Sequence, residues 1–199
     1  MSKIKTSKNN KNTLAISLGD PSGIGTEITL KALGSNRLNK NIKPLLIGCK
    51  NNIYKTYSNL IDHGINNLPN LQNLDIIDIG LEKKIIPGIV DENSGAASFK
   101  WLSDATDIVL AGKAKALVTA PISKIAWHKA GYKFAGQTEL LGMLTNKKTS
   151  MLFTAISPNN GWRFNTLLAT THISLDKINN NLSKELIKFK LNALLNFCL

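Results

Sequence analysis

The stretch Leu14-Ala15-Ile16-Ser17-Leu18-Gly19-Asp20-Pro21-Ser22-Gly23-Ile24-Gly25-Thr26-Glu27 decides the fold class. Its first five residues have the length and apolar character of a buried strand, and the turn Gly19-Asp20-Pro21-Ser22-Gly23 is built from residues that reverse a chain. A helix is expected over 24–33. Working outward, apolar runs of strand length alternate with helix-length amphipathic stretches. Strands are expected at 44–48, 74–79 and 115–120, and helices at 52–62, 96–110, 122–130 and 138–144. Gly112 and Gly131 close two of these helices, and 92–95 reads as a polar lead-in. Two further strands, 150–156 and 164–170, flank Ser157-Pro158-Asn159-Asn160-Gly161 and predict a hairpin. A last helix over 182–197 carries Leu182, Leu186, Phe189 and Ala193 on one face. The alternation predicts an α/β fold with helices covering a sheet.

At 199 residues the chain suits one domain or one and a half. Its composition, 43% hydrophobic and 19% charged, excludes a disordered chain and a fibre. No apolar run approaches the roughly 18–20 residues of a membrane span. The stretch 14–18 is too short for a signal-peptide core, so a cytoplasmic protein with a basic disordered tail at 1–12 is expected. Cys49 and Cys198 stand far apart and outside any CxxC spacing, which implies neither a disulfide framework nor a zinc knuckle. The net charge of +12 raises nucleic acid as a partner. Almost all of it is lysine scattered among Asn and Ile, with arginine only at Arg37 and Arg163, so no specific nucleic-acid site is expected.

Four groups of residues can carry chemistry. The glycine-rich turn 19–25 allows close backbone approach to an anion at a helix start. It fits neither the dinucleotide GxGxxG pattern nor a P-loop, and its alternative reading is a structural turn in which Asp20 caps the helix. In Thr119-Ala120-Pro121-Ile122-Ser123-Lys124, at the carboxyl end of an expected strand, Lys124 can meet a phosphate or carboxylate; otherwise Pro121 is a first-turn proline and Lys124 is solvated. Gly136-Gln137-Thr138-Glu139 opens a helix, with Gln137 and Thr138 able to hydrogen-bond a substrate, or with Thr138 as N-cap and Glu139 as a favourable first-turn acid. His63 and His128 read as surface residues. His172 follows Leu168-Ala169-Thr170-Thr171, where a buried strand is expected to emerge into a cleft. It makes no metal site alone.

These four motifs, in this order and spacing over 14–176, resemble the 4-hydroxythreonine-4-phosphate dehydrogenase family of pyridoxine biosynthesis. The resemblance implies a homodimeric enzyme with the two α/β/α lobes of the isocitrate and isopropylmalate dehydrogenases. It implies oxidation of 4-hydroxythreonine 4-phosphate, a small phosphorylated hydroxyamino acid also written 4-phosphooxy-threonine, with NAD or NADP. The 3-keto acid so formed decarboxylates to 3-amino-2-oxopropyl phosphate. A divalent metal, zinc, magnesium or cobalt, would hold the reacting oxygens. His172 matches one of the family's three metal-binding histidines, and Gln137 and Thr138 match two substrate-binding positions. No catalytic or nucleotide-binding residue is assigned to this chain.

Two departures accompany the resemblance. Gln137 stands where the commoner pattern has histidine, and an amide cannot take up a proton near neutral pH. Family members also continue well past the equivalent of Leu199, so the chain is expected to be an N-terminal portion, truncated within the fold and inactive alone. The alternatives are a non-catalytic interaction or regulatory fragment, and a dehydrogenase for another phosphorylated four-carbon acid.

Overall fold

β1 (Thr13–Ser17) is flanked in parallel by β2 (Lys43–Gly48) on one side and β4 (Ala116–Thr119) on the other, and β3 (Asp75–Asp78) lies beyond β2. Ile16 stands opposite both Leu46 and Val118 in the register. A parallel sheet is covered on both faces, so its inner strands are apolar along their length. Ala15, Ile16, Leu46 and Ile47 are accordingly buried. This computed structural model describes residues 12–35, 39 and 41–198; all but the last residue of the expected basic tail, and Arg37, lie outside the described residues.

Helices α1 (Gly25–Gly34), α2 (Lys50–Asp62) and α3 (Glu92–Leu110) connect the strands. Right-handed crossovers place α1 and α2, which pack together, on one face. The connection through α3 then runs back to the other side of β1, so α3 covers the opposite face, where it contacts β1, β2 and β4. Leu30 of α1, Ile53 of α2 and Trp101 of α3 meet the strand residues in one core.

A second cluster forms where α3 meets α4 (Lys124–Lys129) and α5 (Gln137–Thr145). Trp127 is fully buried there and donates its indole N–H to Ser98 Oγ at 2.8 Å. Phe99 stacks on Tyr132 with ring centroids 3.7 Å apart. Gly95 lets the backbones of α3 and α4 touch, because a Cβ at this position would overlap the carbonyl of Ala126.

The chain divides after Asn146 into two compact units. The second contains β5 (Leu152–Ile156), antiparallel to β6 (Arg163–Leu167), and helices α6 (Ile178–Asn181) and α7 (Lys184–Cys198). None of its described residues is buried; Phe153, Trp162, Phe164 and Leu191 are exposed.

Most expected elements are present, with boundary shifts that have local causes. α3 begins at Glu92 and takes in the polar lead-in, because the Asp91 carboxylate accepts from Ser94 N at 2.7 Å and caps it. α4 begins only at Lys124, capped by Ser123 Oγ, so Pro121 precedes the helix rather than occupying its first turn. Strand β6 stops at Leu167 and is largely exposed, so it is not the buried strand expected to deliver His172.

The Ser94 N–H bond, the largest influence, holds the Asp91 carboxyl below the ordinary aspartate range. A depressed native pKa contributes stability that is present above the unfolded value and lost as pH falls through the native one. We therefore expect Asp91→Ala to cost about 1 kcal/mol at neutral pH, with the difference shrinking below about pH 4. Urea unfolding at the two pH values checks this, and a pH-independent difference would contradict it.

Candidate functional site

In an open α/β sheet, ligands gather at the carboxyl ends of the strands where the strand order reverses. Here that point lies between β1 and β4. The turns leaving these strands are fastened together: Asp20 N donates to Pro121 O at 2.9 Å, and Ala120 N to Ser17 O at 2.9 Å. Gly19 has φ +71°, and a Cβ there would overlap Pro121 O, so only glycine fits without strain.

Asp20 shapes the turn rather than capping α1. Its buried carboxylate accepts from Ser22 N at 2.9 Å and Ser22 Oγ at 2.8 Å. The N-cap of α1 is Ile24, with no side-chain cap, and the first-turn acid Glu27 is ion-paired with Lys31. The loop is therefore a fixed backbone wall beside the end of β4.

Gln137 opens α5 against that wall, with Gly136 as N-cap, so Thr138 is inside the helix and is not its cap. Glu139 does stand in the first turn. The Gln137 side chain donates from Nε2 to Ala120 O at 3.0 Å. A carbonyl only accepts, so this bond fixes which way the amide points and leaves Gln137 Oε1 as an acceptor. The place where a Gly136 Cβ would lie is 3.4 Å from Glu139 Oε2 and 3.9 Å from Lys124 Nζ. An ammonium, a carboxylate and an oriented amide thus share one small region, suited to a ligand with both anionic and hydroxyl or amino groups.

Lys124, Gln137, the glycine-rich turn and the end of β4 lie together. His172 belongs to the other unit; it is exposed and sits in left-handed backbone with φ +58°, which is uncommon for a residue with a Cβ. Among the described residues no three His, Cys, Asp or Glu side chains form a group that could hold a metal ion. His63 and His128 are exposed, as expected, and make ring contacts to the Asn59 and Phe134 carbonyls. Nothing in the sequence marks the Ala120 carbonyl as the partner of Gln137, or a cavity of about 850 Å³ running from Pro21 and Gly23 to α2 and the segment after β3.

A family model described as pyridoxal phosphate biosynthetic protein PdxA matches residues 32–198. A 4-hydroxythreonine-4-phosphate dehydrogenase of Synechococcus sp. (strain RCC307) is 48% identical over 186 residues, covering 93% of this chain and 56% of the relative. The D-threonate 4-phosphate dehydrogenase of Salmonella typhimurium is 34% identical, covering 86% of this chain and 54% of the relative. A solved structure of 4-hydroxythreonine-4-phosphate dehydrogenase from Klebsiella pneumoniae superposes with a TM-score of 0.78 at 26% identity, covering 96% of this chain and 60% of that one. The chain thus spans little more than half the length of the relatives it matches.

Proposed function

Since the chain belongs to the PdxA family of pyridoxal phosphate biosynthetic proteins, we propose that it carries part of the site of a 4-hydroxythreonine-4-phosphate dehydrogenase. The reaction is oxidation of the substrate's secondary alcohol to a 3-keto acid that loses carbon dioxide, giving 3-amino-2-oxopropyl phosphate. The observation that carries this reading is the placement of Gln137, locked to the Ala120 carbonyl beside Lys124 at the point where the strand order reverses. Gln137 and Thr138 position the substrate, with Gln137 Oε1 accepting from a hydroxyl or ammonium group and Lys124 facing an anionic one. Water exclusion and the remaining contacts come from the part of the family fold this chain does not span.

NAD or NADP, when bound, accepts the hydride. His172 is proposed as one metal ligand, but a single imidazole does not fit a catalytic divalent ion, which takes about three protein ligands. The setting proposed is a cytoplasmic homodimer. A second reading, a dehydrogenase for D-threonate 4-phosphate or a related phosphorylated four-carbon acid, is supported by the Salmonella typhimurium relative.

NADH formation with a divalent metal tests these readings. The 199-residue chain alone is expected to give no turnover. A chimaera that appends the unmatched portion of the Synechococcus RCC307 relative is expected to oxidise 4-hydroxythreonine 4-phosphate, and Gln137→Ala in it to lower kcat/KM at least about tenfold. Preference for D-threonate 4-phosphate would favour the second reading. A folded chimaera inactive on both substrates would overturn both.

A further inference from the structure

We propose that Asn160 is a site of spontaneous covalent modification: its side-chain amide is lost through a cyclic imide, and the turn between β5 and β6 gains a carboxylate. Asn160-Gly161 is the one Asn-Gly pair in the sequence. A glycine after asparagine leaves the attacking backbone nitrogen unshielded, because it has no Cβ. The structure keeps this pair open. Asn160 and Gly161 are both exposed, and nothing lies within 4 Å of where a Gly161 Cβ would be.

The bonding of the turn favours the first step. Trp162 N donates to Asn160 Oδ1 at 3.1 Å, which folds the side chain over the Gly161 amide between them. The same N–H polarises the side-chain carbonyl and stands where an oxyanion develops as Gly161 N adds to Asn160 Cγ. The new C–N bond closes the imide ring. The side-chain nitrogen leaves as ammonia, carrying the proton that Gly161 N gives up. Water then adds to either imide carbonyl, so no oxidant or reductant enters. Breaking the bond to Cγ leaves aspartate, and breaking the bond to the main-chain carbonyl leaves isoaspartate, whose backbone runs through the side chain. The extra methylene lengthens the turn that sets Ile156 opposite Arg163. One bond opposes the attack: Gly161 N donates to Ser157 O at 3.0 Å and must release it. None of the described residues of the second unit is buried, and exposed backbone bonds of this kind open locally at low cost. Asn93-Ser94 is the contrast, because Ser94 is fully buried and its N–H is tied to the Asp91 carboxylate in the first turn of α3.

The test is incubation of the full 199-residue chain in mildly alkaline buffer, then trypsin digestion and mass spectrometry of the peptide 149–163, whose fragments separate Asn159 from Asn160. Asn160 is expected to exchange its NH2 for OH ahead of every other asparagine in the digest. Isoaspartate should accompany aspartate in the product, read by methylation with an isoaspartyl methyltransferase. Gly161→Ala should slow the exchange at least about tenfold, because its Cβ hinders the attacking nitrogen. Asn159→Ser, which keeps the Asn-Gly pair, should leave the rate unaltered. Conversion of another asparagine while Asn160 stays intact, aspartate formed without isoaspartate, or an unchanged rate in Gly161→Ala would overturn the proposal. The readout is a mass, so the outcome is independent of whether the chimaera turns over.

Discussion

Gly19→Ala is expected to lower stability by about 2–5 kcal/mol, a large fraction of the roughly 5–15 kcal/mol of an ordinary domain. Two costs combine at this position. The backbone has φ +71°, where a Cβ costs roughly 1–2 kcal/mol, and the same Cβ would overlap the Pro121 carbonyl, which forces a further shift of about 1–3 kcal/mol. Pro121 O is held by Asp20 N, so it cannot move without breaking the link between the β1 and β4 turns. Gly131→Ala isolates the first cost, because Gly131 has φ +87° but nothing within 4 Å of its Cβ position. Urea unfolding should rank Gly19→Ala well below Gly131→Ala, and equal losses would show that the Pro121 contact does not constrain the turn.

Trp127→Ala should cost about 3–5 kcal/mol. The indole is fully buried between α3 and α5, with Leu102 and Leu140 in the same cluster and Phe99 edge-on at 5.6 Å between centroids. Its removal leaves a cavity and takes away the donor to Ser98 Oγ. The loss is also expected to loosen the start of α5, since Leu140 of that helix packs on Trp127 and Gln137 lies one turn before it. Trp162→Ala is the control: Trp162 is 62% exposed and its replacement should change stability by about 0.5 kcal/mol or less. Circular dichroism is the suitable probe, because both variants alter tryptophan fluorescence. Similar losses in the two would contradict the assignment of Trp127 to the core.

The sheet was legible because its strands are continuous apolar runs punctuated by glycine and proline, and that pattern survives in one sequence. The start of α3 was not, because Asn93 and Ser94 look like loop residues until the Asp91 cap is seen to satisfy the helix end. Asp20 is ambiguous in the sequence for a similar reason: aspartate before a helix can cap it or fold its own turn, and only the bonds to Ser22 decide. Gln137 and Lys124 were legible as residue types in favourable places. That Gln137 answers to a backbone carbonyl 17 residues earlier depends on how the chain from β4 through α4 brings α5 back to the end of that strand, which composition does not encode. His172 was expected at the mouth of a buried strand, and β6 is exposed because the second unit has no buried residues among those described.

The bond from Asp20 N to Pro121 O also has a kinetic consequence. Its two ends lie far apart in the chain, and contacts of that separation form late because a long loop must close first. As the polypeptide leaves the ribosome, β1, α1 and β2 are made long before β4, so the turn at 18–24 emerges without the neighbour that shapes it. The strand after α3 is therefore the piece that completes the turn. Until it docks, Gly19 has no carbonyl against it, and the glycine that the finished fold demands is one that the growing chain does not yet need.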